Sequence, residues 1–195
     1  MNRARPDCTL DEISLKLVGQ GLCSLVVDEA HFDRVVRRGI LKSGVSLDIA
    51  TADFKAMLVP QGGGASSIVE VVQQLAVKGV EIRILHSGVP SARSLRDLAE
   101  GLPSQLKIRR CPRLHAKAVV IDCKAMYLGS ANLTGAGLGA KGEHKRNFEW
   151  GVWTEATELI DAVLAEFNRI WEGCRCQRCK RRDYCPVPLE EPNLT

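Results

Sequence analysis

Apolar positions run through the chain in two rhythms. Val45, Leu47 and Ile49 alternate with small or polar neighbours, and so do Val80, Ile82 and Ile84. Residues two apart on a strand share a face, so both segments predict strands. Between them, Gln61-Gly62-Gly63-Gly64 breaks the chain, and Ser66 or Ser67 is placed to cap a helix. That helix buries Ile68, Val71, Val72, Leu75 and Ala76 at helical spacing and stops at Gly79. A second short helix is expected from Ser91 to Glu100, closed by Gly101 and Pro103. Strands follow at 106–111, 116–122 and 125–128, with a further one through Phe148, Trp150 and Val152. A last helix, residues 155–172, places Leu159, Ile160, Val163, Leu164, Phe167, Ile170 and Trp171 on one side, with Gly173 as its stop. Strands alternating with helices predict an α/β fold, a mixed β-sheet sandwiched by helices. Residues 1–29 read as an N-terminal extension, 30–173 as the main domain and 174–195 as a short Cys-rich C-terminal appendage, its end made irregular by Pro186, Pro188 and Pro192.

Composition narrows the class. A chain of 195 residues with 26% charged and 45% hydrophobic positions has the balance of one soluble globular domain. No apolar run approaches the length of a transmembrane helix, and no apolar segment follows the charges near the N-terminus as in a secretory signal, so a cytoplasmic setting is expected. The net charge of +4 is compatible with an anionic partner without demanding one. Aromatic residues make up 5% of the chain, too few for a platform that stacks single-stranded nucleic acid.

The chemistry concentrates in Arg113-Leu114-His115-Ala116-Lys117, continuing to Asp122, then Gly129-Ser130-Ala131-Asn132-Leu133-Thr134. His115 and Lys117 project together from a strand, and Ser130 with Asn132 and Asn147 with Glu149 make two further pairs. An imidazole, an ammonium, a hydroxyl and an amide converging on one point suit a phosphate. The imidazole is able to attack phosphorus while Lys117, Ser130 and Asn132 hold the non-bridging oxygens. A carboxylate on the other imidazole nitrogen would fix its tautomer, and Glu149 is the candidate.

His-x-Lys-x4-Asp, six residues, then Gly-Ser-x-Asn-x-Thr resembles the signature of the phospholipase D superfamily, and Asn147-Phe148-Glu149 resembles its downstream element. The resemblance covers roughly residues 30 to 172. It implies that His115 is a nucleophile forming a phosphohistidine, that Lys117, Ser130 and Asn132 bind phosphate, and that Glu149 orients the histidine. Asp122 is then a structural acid on the opposite face. No catalytic metal is implied, since side-chain cations do that work. The family's mechanism uses two histidines and this chain carries one motif, so the resemblance implies a homodimer with one shared site.

Short single-motif members resembling this chain are mostly nucleases, and the expected reaction is metal-independent cleavage of DNA, or of RNA, as an endonuclease. Arg109, Arg110 and Arg113 approach the motif in sequence, and Lys141, His144, Lys145 and Arg146 lie in the loop between Asn132 and Glu149. Of these, Arg113, Lys145 and Arg146 are the candidate substrate-binding cations. Two alternatives stay open: a phospholipid or cardiolipin phosphodiesterase, and a nucleic-acid-binding subunit of a larger complex, for instance one of defence.

Of eight cysteines, four fall within the twelve residues from Cys174 to Cys185. In a cytoplasmic chain such crowding suggests a metal or cluster site at Cys174, Cys176, Cys179 and Cys185. Cys-x2-Cys-x5-Cys-Pro resembles the C-terminal triplet of AddB-type iron–sulfur nucleases. The resemblance implies a structural [4Fe–4S] cluster, with zinc as the other option and Cys8 or Cys23 as a possible distant ligand. Asp28-Glu29-Ala30-His31 spells a helicase box but lacks the phosphate loop that would give it meaning.

Overall fold

A computed structural model describes residues 14–16, 22–55, 57–61, 64–88, 101–181, 185 and 189. Its centre is an eight-stranded mixed sheet. In chain order the strands are β1 (Ser14–Lys16), β2 (Leu22–Val27), β3 (Ser46–Thr51), β6 (Glu81–His86), β7 (Leu106–Arg110), β8 (Ala118–Ile121), β9 (Ala125–Gly129) and β10 (Trp150–Thr154). β4 (Leu58–Gln61) and β5 (Gly64–Ser67) form a separate hairpin. The spatial order is β1-β2-β10-β9-β8-β3-β6-β7. β3, β6 and β7 run parallel, and every other neighbouring pair is antiparallel. Of the residues ahead of residue 30, Ser14–Lys16 and Leu22–Val27 thus join the sheet.

Alternation decides what each face buries. Leu47, Ile49, Ile82, Ile84, Val119 and Ile121 face helix α1 (Ile68–Val77) and a π-helical turn, Phe32–Arg37. Ser67 caps α1: its hydroxyl accepts from Glu70 N–H at 3.1 Å while the Glu70 carboxylate accepts from Ser67 N–H at 2.8 Å, a reciprocal box that satisfies two orphan donors. Gly79, at φ +97°, ends the helix as expected. The pattern does not announce the β4–β5 hairpin, whose strands flank the glycine run expected to break the chain.

The opposite face carries Ala50, Leu85, Ala118, Val120 and Met126 beneath α2 (Thr157–Trp171). Ile160, Phe167 and Trp171 of α2 are buried, each burial worth about 1.5–3 kcal/mol. Leu159, placed on the buried side by periodicity, is partly exposed. Arg83 anchors the helix, bonding Asp48 at 2.6 Å and lying over the Phe167 and Trp171 rings. The expected helix from Ser91 to Glu100 lies outside the described residues.

Candidate active site

The strand directions carry the ends of β2, β3 and β9 and the beginnings of β8 and β10 to one edge of the sheet. His115, Lys117, Ser130, Asn132 and Glu149 all lie at or next to these strand ends. β8 begins at Ala118, so His115 and Lys117 occupy the extended segment leading into it. His115 is exposed, whereas Lys117 is only 7% exposed. Lys117 Nζ donates to His115 O at 2.8 Å and lies 3.1 and 3.2 Å from the two ring nitrogens. Burial pushes the Lys117 ammonium below its ordinary pKa, and the Glu149 carboxylate opposes that shift.

Ser130 and Asn132 follow β9. The Ser130 hydroxyl donates to Glu149 Oε2 and accepts from Trp150 N–H at 3.0 Å. Asn132 turns its carbonyl oxygen toward the loop after β3, where Ala52 N–H and Asp53 N–H donate to it, each at 3.1 Å. With the oxygen so committed, the amide donors are what Asn132 has to offer a ligand. Glu149 is buried, and Asn147 Nδ2 donates to its Oε1 at 3.0 Å. The hydrogen bonds of Glu149 therefore run to Ser130 and Asn147 rather than to His115, which departs from the orienting contact expected within one chain.

Asp122 sits at the far edge, in the turn between β8 and β9. Its carboxylate accepts from the N–H groups of Gly44, Val45 and Ser46 at 2.7–3.1 Å. Burial raises its pKa, but those three donors outweigh the burial and hold it below the usual range. Its contacts are structural, as its parity suggested.

The expected cations scatter. Arg109 donates to Trp171 O at 2.6 Å and lies over the Trp171 ring, and Arg110 donates to Ser87 O at 3.2 Å, so both tie the fold together. Arg113 donates to Cys179 Sγ at 3.5 Å. Lys145 is exposed in a short turn, and Arg146 pairs with Glu29 at 3.4 Å.

The cysteine site does not form as expected. Cys111, Cys174, Cys176 and Cys179 border a cavity of about 750 Å³. Among the described residues, however, no three Cys, His, Asp or Glu side chains converge closely enough to hold a metal ion. Cys23 lies in β2, paired to Thr154 of β10, and Cys8 lies outside the described residues.

Sequence reasoning overlooked Thr51 and Tyr127. Thr51 Oγ1 accepts from Leu133 N–H at 2.9 Å and donates to Asp53 O at 2.7 Å, holding the loop that receives Asn132. The contact with Leu133 joins residues 82 positions apart, and no local pattern announces it.

A mixed sheet with this His, Lys, Ser, Asn and Glu set at one edge defines a phosphodiester-acting enzyme of the phospholipase D type. The chain belongs to the family described as cardiolipin synthase, PLD-like domain, which it matches over residues 36–171. Among solved structures it resembles NucT from Helicobacter pylori, with a TM-score of 0.59 and 19% identity, covering 78% of this chain and 97% of that one. It resembles equally a phospholipase D family member, Nuc from Salmonella typhimurium, at a TM-score of 0.59 and 18% identity, covering 78% and 95%. Phosphatidylserine synthase from Haemophilus influenzae Rd KW20 follows at 0.53 and 17%, covering 80% of this chain but 40% of that one. At these identities the likeness is one of fold. No curated protein matches the chain. Among the described residues, no helix is long and apolar enough to cross a membrane.

Proposed function

We propose that the protein is a nuclease that cleaves phosphodiester bonds, DNA being the favoured substrate, through a phosphohistidine at His115 and without a catalytic metal. The observation that carries this reading is the buried Lys117 ammonium held against His115 at the edge where Ser130, Asn132 and Glu149 also emerge. The His115 imidazole attacks phosphorus, and a nitrogen–phosphorus bond forms as the bond to the leaving oxygen breaks. Lys117 and the Asn132 amide meet the charge that develops on the non-bridging oxygens. Glu149 holds Ser130 and Asn147 through its two carboxylate oxygens. Water then attacks the phosphohistidine and gives its proton to the second copy's His115 imidazole, left neutral by the first step, as the nitrogen–phosphorus bond breaks and His115 is restored.

The leaving oxygen needs a proton, and a second copy of His115 in a homodimer supplies it. Two features support the dimer. Of the other histidines, His31 and His86 are fully buried and His144 lies in an exposed turn. Phe148 and Trp150, 93% and 70% exposed, bracket Glu149 in sequence, and large exposed apolar side chains beside a site mark a contact surface. Arg113 and Lys145 are the cations we assign to the substrate backbone.

The test is cleavage of plasmid, single-stranded oligonucleotides and RNA in excess EDTA, wild type beside His115→Ala, with phospholipid and cardiolipin vesicles in parallel. Cutting of nucleic acid that survives EDTA and vanishes in the variant is expected. Hydrolysis of vesicles alone would transfer the site to lipid.

A further inference from the structure

Asp28-Glu29-Ala30-His31, the turn after β2, has no role in the reaction above, yet it grips the loops that form the site. Asp28 N–H donates to Glu149 O at 3.0 Å, and Asp28 Oδ1 accepts from Glu149 N–H at 2.9 Å. Glu29 takes the ion pair with Arg146, and a side chain on Gly139 would meet the Glu29 backbone. His31 is fully buried. Its Nδ1 lies 2.8 Å from Asp28 O and its Nε2 lies 3.0 Å from the Tyr127 hydroxyl. A carbonyl only accepts, so Nδ1 carries the proton and Nε2 receives the Tyr127 O–H. The Tyr127 oxygen accepts in turn from Ala131 N–H at 3.1 Å, and Ala131 stands between Ser130 and Asn132. An unbroken run of hydrogen bonds thus joins the strand end that carries Ser130 and Asn132 to the one that carries Asn147 and Glu149.

Packing alone does not ask for this arrangement. Tyr127 is the largest fully buried side chain among the described residues; its ring lies where a Cβ on Gly151 would stand, and its hydroxyl where one on Gly129 would. Those two glycines face each other across β9 and β10, and their bareness is what lets the phenol reach Ala131. A buried polar pair costs free energy unless every group is satisfied, and here each is.

We propose that His31 and Tyr127 are positioning residues of the phosphodiesterase site, holding Glu149 in place against Ser130 and Asn132 without touching substrate. The proposal rests on the enzymatic reading above. Tyr127→Phe removes one oxygen and keeps the ring. His31→Leu keeps bulk but loses the acceptor, and His31→Gln restores an amide able to accept the Tyr127 O–H. With an active wild type, Tyr127→Phe and His31→Leu lower kcat roughly tenfold to hundredfold, as small misplacements of reacting groups do. KM changes by less than about twofold, because ground-state contacts are spared. His31→Gln recovers most of the loss. Nitrogen NMR of wild type shows His31 protonated at Nδ1, and Tyr127→Phe shifts its Nε2 resonance alone.

An active wild type whose Tyr127→Phe form has unchanged kcat overturns this proposal and leaves the enzyme reading standing. A wild type that cleaves no phosphodiester overturns both. Should Tyr127→Phe fail to fold, the pair His31→Gln and His31→Leu decides, and equal kcat in the two sinks the idea.

Discussion

Lys117 offers the sharpest separation of chemistry from architecture. Replacing it with methionine keeps most of the apolar stem and deletes the ammonium. In the folded protein that ammonium is nearly enclosed, its pKa pushed down by burial, and its direct partner is a backbone carbonyl 2.8 Å away. Losing that hydrogen bond costs about 1 kcal/mol, and relief from burying a charge offsets a similar amount, so net stability moves by less than about 1 kcal/mol. Catalysis responds differently. A donor aimed at charge that develops only in the transition state is worth about 3 kcal/mol, or roughly 150-fold in kcat. The assay pairs urea unfolding with steady-state cleavage of a labelled oligonucleotide. Were Lys117 a structural partner of Glu149, deletion would leave a buried carboxylate uncompensated and cost about 3–5 kcal/mol of stability. A large fall in stability with near-normal kcat in the folded fraction would refute the reasoning.

Three further outcomes follow from the same structure. Asp122→Ala strands the N–H groups of Gly44, Val45 and Ser46, and urea melts should show a loss of about 2 kcal/mol with kcat unaltered. His31 has its pKa lowered, by burial first, against the raising effects of the Asp28 carbonyl and the Glu149 and Asp28 carboxylates. Its neutral form therefore contributes stability that is complete above the ordinary pKa of 6.5 and is lost as pH falls from there through the folded value. Between pH 7.5 and 5.5 the melting temperature of wild type should fall further than that of His31→Gln; parallel curves would remove His31 as the cause. Gly129→Ala drives a methyl group against the Tyr127 hydroxyl and the Gly151 backbone, and both stability and kcat should drop, with Gly151→Ala, whose methyl meets the Tyr127 ring, behaving alike.

Much of the site was legible because its information is local. His115 and Lys117, Ser130 and Asn132, and Asn147 and Glu149 are each two residues apart, and spacing of two on extended backbone places them on one side without knowledge of the rest. The α1 helix was equally open to reading, since its cap, apolar stripe and Gly79 stop are consecutive. The contacts that hold the site were not legible. Asp28 meets Glu149 across 121 positions and Thr51 steadies Leu133 across 82, and both pairings exist only because the strand order places β2 beside β10 and brings the β3 end to the same edge. Charge misled for a related reason: Arg109 and Arg110 precede the motif in sequence, but the backbone carbonyls of Trp171 and Ser87 take up their guanidinium groups.

The central claim is that His115 forms a covalent bond to phosphorus. Mixing enzyme with an end-labelled oligonucleotide, quenching within milliseconds into alkali, where phosphoramidates of histidine survive, and mapping peptides by mass spectrometry reads that bond directly. A nucleotide fragment joined through phosphate to His115, absent from His115→Ala and formed in the presence of EDTA, is the predicted result. Turnover by wild type with no adduct on His115 at any quench time, and activity retained in His115→Ala, would contradict it.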